Sequence, residues 1–116
     1  MSHNYENLEV YKRSLKLASN ILICFHEFKP FRIGEQICAS AVSIPSNISE
    51  GAERNNDKYF KQYLDYACGS AAELNTQLII IKESKLDVGF EINDFLDELK
   101  EIRKMLRGLN KKFSKK

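Results

Sequence analysis

The segment Ser43–Gly51, with the sequence SIPSNISEG, decides the fold of this chain. It lies in a stretch whose apolar residues recur at the spacing of a helix, four, three and four apart: Ile37, Ala41, Ile44 and Ile48. Pro45 falls inside that helix, where a proline removes one backbone donor and pushes against the carbonyl of Ala41 at a cost of roughly 3 kcal/mol. The sequence therefore predicts a helix with a proline kink.

Three other segments carry apolar residues at alternating spacings of three and four, which fit a helix and cannot fit the period of two of a strand. The stripes are Leu8, Tyr11, Leu15, Ala18, Leu22 and Phe25; Phe60, Leu64, Ala67, Ala71, Leu74, Leu78 and Ile81; and Ile92, Phe95, Leu99, Ile102, Leu106, Leu109 and Phe113. Pro30 ends the first helix, and Asn55 and Asn56 supply a turn and a cap before the third. We expect helices at about 7–28, 34–54, 57–84 and 88–113.

The architecture that follows is all-α: an antiparallel up-and-down four-helix bundle in one domain, residues 1–116. Short connections leave consecutive helices side by side, and 116 residues suffice for one core. A hairpin about Asn55 and Asn56 predicts that facing residues of the second and third helices have numbers summing to about 112. Small residues would then face small ones, so these two helices would approach closely and shelter Pro45. The facing sets are Ala39, Ser40, Ala41 and Ser43, and Gly69, Ser70, Ala71 and Ala72.

Composition narrows the class of protein. The chain is 43% hydrophobic and 29% charged with 2 prolines and 5 glycines, which excludes collagen-like and strongly disordered chains. Cys24, Cys38 and Cys68 are odd in number and form no Cys-x-x-Cys pair, so they indicate reduced thiols rather than a disulfide framework or zinc site. The longest apolar run, Ile21–Phe25, is too short to span a membrane. We expect a cytoplasmic protein.

Two polar stripes border the apolar stripes of the second and third helices. They consist of Ser40, Ser43, Asn47, Glu50 and Arg54, and of Tyr59, Tyr63, Tyr66, Ser70, Glu73 and Gln77. Polar groups at the margin of a core need partners, so we interpret the stripes as a hydrogen-bonded seam, within the bundle or between subunits. A ligand site is the alternative. The tyrosines favour an interface, since an aromatic ring with a wet hydroxyl suits a partly buried contact.

The pattern of titratable residues does not indicate an enzyme. A di-iron bundle needs Glu-x-x-His pairs on facing helices, and the histidines are His3 and His26, the latter beside Glu27. Glu50 and Glu73 could form an acid and base pair, but no nucleophile, phosphate-binding loop or metal-ligand set accompanies them. We predict no catalytic residues, no cofactor and no metal.

The C-terminal segment concentrates positive charge. Residues 100–116 hold eight basic side chains and one acidic, a net charge of +7, although the whole chain carries only +2. RNA binding would use the charges of Lys104, Arg107, Lys111, Lys112, Lys115 and Lys116 to displace counterions from phosphates. The alternative is that basic residues stabilise a helix C-terminus by offsetting its dipole, by about 0.3–1 kcal/mol each. The two interpretations are compatible.

The Ser43–Gly51 motif followed by Arg54 is matched by a second motif in the third helix, Gly69-Ser70 with Glu73 and Thr76-Gln77-Leu78. Together with the opening Leu8–Tyr11, these residues resemble the bacterial 23S rRNA-intervening sequence proteins, and the similarity spans nearly the whole chain. The resemblance implies a four-helix bundle that assembles as a barrel-shaped homopentamer. Members resemble products encoded inside insertions in large-subunit ribosomal RNA genes, and relatives serve as accessory proteins to reverse transcriptases of diversity-generating retroelements.

These observations lead to one functional expectation and one alternative. We expect a non-catalytic homo-oligomer, pentameric by resemblance, that binds RNA or another nucleic acid. The alternative is a protein-interaction scaffold, such as an accessory subunit of a reverse transcriptase, that binds no nucleic acid itself. The residues of the family motif and the polar seam are Ser43, Pro45, Asn47, Glu50, Gly51, Arg54, Ser70, Glu73 and Gln77.

Overall fold

The computed structural model describes residues 4–113, and every regular element in that range is helical. A short 3-10 helix at Tyr5–Asn7 precedes four α-helices: α1 (Glu9–Phe25), α2 (Phe31–Glu53), α3 (Asp57–Ser84) and α4 (Ile92–Lys112). The principal extents are 47 × 21 × 21 Å. At about 1.5 Å per residue, α3 alone spans about 42 Å, so the column is one helix long. Within residues 4–113, none of the helices is long and apolar enough to cross a membrane.

The helices pack as a four-helix bundle in which each contacts the next and α4 returns to α1. Ser43 on α2 is hydrogen-bonded to Ser70 on α3, and Gly51, further along α2, lies against Tyr63, nearer the start of α3. Higher numbers on one helix thus meet lower numbers on the other, so the pair is antiparallel. The all-α bundle and the register predicted for the central hairpin are confirmed.

The ends of three helices differ from the predicted ones. α1 stops at Phe25, and α2 begins as early as Phe31, because Pro30 in an extended conformation caps it directly. Gly34, the predicted start of the second helix, is instead inside α2, where a Cβ would lie 3.0 Å from the carbonyl oxygen of Phe25. This close approach explains why a glycine stands in the first turns of α2.

The starts of the last two helices are set by side-chain caps. Asn56 accepts hydrogen bonds from the backbone amides of Lys58 (2.8 Å) and Tyr59 (3.3 Å), which confirms its predicted capping role. α4 begins at Ile92 rather than at 88, because a loop follows α3 and the Glu91 carboxylate caps the new helix. The predicted boundary fell inside that loop.

The core confirms the apolar stripes predicted for α3 and α4 and corrects the one predicted for α1. All seven stripe residues of α3 are buried, and so are Ile92, Leu99, Ile102 and Leu106 of α4. On α1 the prediction was wrong for Leu15 and Leu22, which are 47% and 48% exposed. The helix carries two overlapping apolar stripes, and the core takes the other one: Val10, Ser14, Leu17, Ala18, Ile21 and Phe25.

Pro45 lies within α2, which continues through it from Phe31 to Glu53. Pro45 is buried, but it lines a groove shared with α1 rather than the contact with α3, so the expectation that the α2–α3 pair shelters it was wrong. The physical reason is helical spacing, because Pro45 lies two positions from Ser43, on a different side of α2. The kink predicted at Pro45 stays a prediction.

Candidate functional site

The polar residues of the α2–α3 contact form two separate clusters. In the first, the Ser43 hydroxyl donates to the Ser70 hydroxyl, and the Asn47 side-chain amide donates to the backbone carbonyl of Ser43 at 2.8 Å. The second bond lies within α2 and joins Asn47 to the residue four positions earlier, and Pro45 lies between the two in the sequence. These groups satisfy one another inside one chain, and this part of the seam therefore has a structural role.

Between the clusters, Gly51 of α2 is buried against α3. A Cβ built at Gly51 would lie 2.5 Å from the Cβ of Tyr63 and 3.3 Å from the ring of Phe60. No side chain fits in that space, so the glycine that closes the Ser43–Gly51 motif sets the distance between the two helices. Gly69, which was predicted to make this close contact, is exposed and has no atom within 4 Å of its Cβ position.

The second cluster surrounds Arg54 at the end of α2. Its guanidinium donates to the Glu50 carboxylate at 2.9 Å and to the Tyr63 hydroxyl at 3.0 Å. The same guanidinium lies over the rings of Tyr59 and Tyr63, with its central carbon 5.8 and 5.2 Å from their centroids. The bond to Glu50 is the main cause that raises the pKa of Arg54. Arginine and tyrosine in this arrangement form a rigid, half-exposed surface of the type enriched in protein interfaces.

The tyrosine row continues along α3. The rings of Tyr63 and Tyr66 meet edge to face with centroids 5.2 Å apart, and Gln62 donates to the Tyr66 hydroxyl at 2.9 Å. Tyr59 and Tyr66 are each about half exposed. Their rings are held in place by neighbours and still face outward.

The last two residues of the predicted seam, Glu73 and Gln77, do not join these clusters. Glu73 is exposed and makes no hydrogen bond or ion pair with any residue from 4 to 113. Gln77 is buried, and its side-chain oxygen finds no partner within the described chain. The register that pairs Ser43 with Ser70 brings the N-terminal half of α2 opposite Gln77. Sequence reasoning joined these residues because they share a row, but Glu73 is exposed and Gln77 is buried further along α3, away from the two clusters.

Four of the predicted nucleic-acid residues lie on α4: Lys104, Arg107, Lys111 and Lys112. Four cations at spacings of four, three and four form one exposed row, here called the basic ridge: Lys100, Lys104, Arg107 and Lys111. Lys104 approaches Glu101 at 3.7 Å, and the other three make no ion pair within residues 4–113. Lys112 is exposed beside the ridge, whereas the predicted residues Lys115 and Lys116 lie outside the described residues.

The end of the bundle at the basic ridge also carries polar groups from α3 that sequence reasoning missed. Asn110 donates from its side-chain amide to the Asp65 carboxylate at 2.6 Å, and Lys61 forms an ion pair with Asp65 at 3.1 Å. Asp65 is thereby engaged by two groups and is held back from the ridge. No pattern in the sequence relates Asn110 to Asp65, which lies 45 positions earlier. This contact could be predicted only from the register between α3 and α4.

A second feature that sequence reasoning missed is an apolar groove between α1 and α2, here called the α1–α2 groove, with a volume of about 220 Å³. Its nine lining residues are all uncharged: Tyr11, Leu15, Ala18, Ser19, Leu22, Val42, Pro45, Ser46 and Ser49. Leu15, Leu22 and Val42 are each nearly half exposed. The signal was present in the sequence, since these leucines belong to the second apolar stripe of α1 that the core leaves uncovered.

The described residues offer little for catalysis. No group of three or more histidine, cysteine, aspartate or glutamate side chains in residues 4–113 could hold a metal ion. Cys24, Cys38 and Cys68 are free, and burial raises the pKa of each thiol. A raised pKa keeps a thiol protonated and unreactive at neutral pH.

Comparison with known proteins places the chain in a family. The model of the 23S rRNA-intervening sequence protein family matches residues 6–108, a range that includes the Ser43–Gly51 motif, its partner on α3 and most of the basic ridge. Among curated proteins no match is found.

A solved structure of the same fold is the crystal structure of a protein of unknown function from the S23 ribosomal protein family of Bacteroides thetaiotaomicron. It is 24% identical, covers 88% of this chain and 95% of its own, and superimposes with a TM-score of 0.78. At that identity the likeness shows the fold alone. The family match spans nearly the whole chain and confirms the resemblance read from its motifs: the chain belongs to the 23S rRNA-intervening sequence protein family.

Proposed function

We propose that this protein is a non-catalytic, cytoplasmic homo-oligomer, a pentamer by family resemblance, that binds RNA through its phosphate backbone. The observation that carries the RNA proposal is the basic ridge, four exposed cations in line on α4, with Asp97 one step before the row and Glu101 beside it. Such a row can replace counterions along a strand at regular intervals. The family name, which refers to intervening sequences in 23S rRNA, supports RNA over other polyanions.

The chemistry of the ridge favours binding without sequence selectivity. Its side chains are lysines and one arginine, and the aromatic residue near them, Phe113, packs its ring 4.9 Å from that of Phe60 in the core. No exposed ring accompanies the ridge on α4 for base stacking within the described residues. Charge on phosphates is then the dominant contact, and sequence changes in the RNA should matter little.

Assembly would turn the modest positive electrostatic field of one chain into a strong one. A single chain has a net charge of +2, because acidic residues elsewhere offset the ridge. Lys111 and Lys112 also lie in the last turn of α4, where they stabilise the helix dipole whether or not RNA binds. Five copies in a closed ring would gather five ridges, and a polyanion that contacts several of them would gain avidity.

The RNA proposal is tested by salt-dependent binding of a single-stranded RNA. Replacing Lys104, Arg107, Lys111 and Lys112 by glutamine should weaken binding and reduce the slope of log affinity against log salt by about 3, since each lost phosphate contact contributes about 0.7. The matched control removes the same charge at the opposite end of the bundle, by Lys29, Arg32, Lys82 and Lys85 to glutamine. Equal losses in both variants, or affinity that does not respond to salt, would refute the ridge as the binding site.

A specific observation favours the alternative function, a protein-interaction scaffold without nucleic-acid binding. The Arg54 cluster and the uncharged α1–α2 groove are exposed surfaces with the composition of protein contacts. An accessory subunit of a reverse transcriptase would use such surfaces. If the purified oligomer binds no RNA at low salt, while Tyr59→Ala and Tyr66→Ala abolish copurification of a reverse transcriptase encoded nearby, the alternative replaces the RNA proposal.

A further inference from the structure

Three positively charged side chains from two helices surround the thiol of Cys68 on α3. Burial is the main cause that raises the pKa of this thiol, and the nearby carboxylate of Asp65 adds to it. Positive charge on Arg107, Arg103 and Lys61 acts in the opposite direction. Lys61 belongs to α3 and the two arginines belong to α4, so the cations converge across the contact between these helices.

Hydrogen bonds across this contact fix the register that brings the cations together. The Asn110 side-chain amide donates to the Asp65 carboxylate at 2.6 Å and to the backbone carbonyl of Lys61 at 3.4 Å. Asn110 lies three positions after Arg107 and seven after Arg103, and these spacings place all three on one side of a helix. Both arginines therefore lie on the side of α4 that faces α3.

Small side chains form the surface of α3 beside these arginines. Cys68 and Ala72 follow Asp65 at spacings of three and four, on the same side of the helix, and Ala72 is exposed. Long basic side chains next to small ones leave a furrow along the contact of the two helices. In this α3–α4 furrow Cys68 and Ala72 form the floor, and Arg103 and Arg107 form the wall on α4.

Acidic side chains leave the centre of the furrow free. Asp65 already accepts from an amide and pairs with a lysine ammonium at 3.1 Å. On α4, Glu101 lies about 200° around the helix from Arg103, and Asp97 lies about 9 Å from it along the axis. On α3, Glu73 follows the floor by one position, about 100° around the helix and away from α4. The arginines therefore keep their positive charge beside the floor.

The chemistry of the wall favours a phosphate ligand. Neither Arg103 nor Arg107 makes an ion pair with any residue from 4 to 113. A guanidinium can donate two parallel hydrogen bonds to one phosphate, and two guanidinium groups one helical turn apart suit successive phosphates of a chain. The basic ridge, which includes Arg107, borders the same furrow and continues the row of cations in both directions.

The width of the furrow distinguishes between forms of RNA. Proteins hold single strands in positively charged grooves that follow the backbone. The axes of packed helices lie about 8–10 Å apart, so the floor between α3 and α4 is narrow. A duplex is a rigid A-form rod of two paired strands, which can rest on the ridge but is too wide to reach that floor.

We propose that the α3–α4 furrow holds a single strand of RNA, with phosphates on Arg103 and Arg107 and the strand passing over Cys68. The inference rests on the RNA binding proposed above. It deepens that proposal, because it names the form of RNA, the path of the strand and a further contact, Arg103, outside the basic ridge.

Protection of the thiols from alkylation tests the path of the strand. Cys24, Cys38 and Cys68 are free and half-buried, and they lie on α1, α2 and α3. Saturating oligouridine should slow the reaction of Cys68 with N-ethylmaleimide at least about fivefold, because the strand covers that thiol. Cys24 and Cys38 are the internal controls and should react at unchanged rates. Peptide mass spectrometry measures all three. Bound RNA that leaves Cys68 unprotected, or that protects all three equally, would overturn the assigned path.

The duplex of oligouridine with oligoadenine tests the form of RNA in the same experiment. The duplex should bind more weakly than oligouridine and leave Cys68 as reactive as in the free protein. Equal protection of Cys68 by the duplex would show that the furrow does not select a single strand.

Two substitutions test the furrow without use of the thiols. Arg103→Gln should lower the slope of log affinity against log salt by about 0.7, the contribution of one phosphate contact. Ala72→Glu places a carboxylate on the floor and should weaken oligouridine binding at least about tenfold. The matched controls are Arg32→Gln and Ala39→Glu at exposed positions of α2, and both should bind as the parent does. Circular dichroism should show equal helix content in all four. Parent-like binding by Arg103→Gln and Ala72→Glu would overturn the inference.

The outcomes separate this inference from the proposal beneath it. If glutamines in the basic ridge abolish salt-dependent binding while Cys68 stays unprotected, the furrow is wrong and the ridge stands as the RNA site. If the parent protein binds no oligouridine at low salt, the RNA proposal and the furrow both fall.

Discussion

The interface between α2 and α3 is the most extensive contact between helices in the bundle, and the interface between α1 and α4 is the least extensive. The first brings two backbones together where Gly51 leaves out a side chain beside Tyr63. The second joins helices at opposite ends of the sequence, through an ion pair of Arg13 with Glu98 and a group of phenylalanine rings. The α2–α3 interface requires a residue without a side chain, whereas the α1–α4 interface requires large side chains.

The difference follows from how each helix pair is connected. α2 and α3 form a hairpin with a three-residue turn, so their register is fixed locally. Because the register is fixed, the sequence can carry a small residue at the position where the two backbones approach. α1 and α4 meet only when the bundle closes, and a groove of about 510 Å³ lined largely by polar and charged side chains remains between them. Long side chains can bridge that space, whereas a close backbone contact would need precise prior alignment. Removing side-chain volume should therefore destabilise the α1–α4 interface, whereas adding side-chain volume should destabilise the α2–α3 interface.

The largest effect is expected from Phe25→Ala, which removes a buried ring from the α1–α4 interface. Phe25 is 1% exposed, and its ring meets those of Phe90 and Phe95 at 5.0 and 6.4 Å between centroids. The free energy of unfolding should fall by about 3–5 kcal/mol, from lost burial and the cavity left behind. Urea unfolding at fixed protein concentration measures it. The exposed Phe31→Ala should change it by less than about 0.5 kcal/mol; equal losses would contradict this account.

The next largest effect is expected from adding a single methyl group at Gly51. In Gly51→Ala the new Cβ would lie 2.5 Å from the Cβ of Tyr63, so α2 and α3 must separate. Overpacking of this kind costs about 1–3 kcal/mol. Gly108→Ala is the matched control, since its surroundings are open and alanine there should raise stability by about 0.5–1 kcal/mol. A Gly51→Ala protein as stable in urea as the parent would show that the contact is not tight.

The sequence alone predicted the parts of the fold that repeat regularly. The stripes of α3 and α4 alternate between three and four without interruption, and the helices and their buried residues follow them. The hairpin turn at Asn56 was readable because an asparagine cap has a local chemical reason, and the turn then fixed the Ser43 to Ser70 register. Local capping and periodicity carry this information without knowledge of the neighbours.

Other features of the fold could be predicted only if the packing partner of each helix were known. α1 has two apolar stripes, and only the position of α4 decides that Leu17 is buried while Leu15 and Leu22 face the α1–α2 groove. The sequence analysis also placed the close contact of the two helices at residues 69–72, whereas the geometry places it at Gly51. In both cases the pattern was read correctly as apolar or small, but the partner surface could not be assigned from one helix.

The smallest expected effect is a pH dependence that arises from the ion pair of the α1–α4 interface. Arg13 donates two hydrogen bonds to Glu98, at 2.7 and 2.8 Å, and this contact holds the pKa of the Glu98 carboxyl below its ordinary value. A depressed pKa in the folded state stabilises the protein above the pKa of the unfolded state, about 4.3 for glutamate. That stabilisation is lost as the pH falls through the folded pKa.

The Glu98 side chain is about one-third exposed, so solvent screening keeps the contribution below about 1 kcal/mol. Glu98→Gln should therefore be less stable than the parent by about 0.5–1 kcal/mol at pH 7, and the difference should disappear near pH 3. The neighbouring exposed residue Asp97, changed to Asn, serves as the control and should show no such difference. Urea unfolding at both pH values measures it. A deficit in Glu98→Gln that persists at pH 3 would mean that packing of the side chain, rather than its charge, joins α1 to α4.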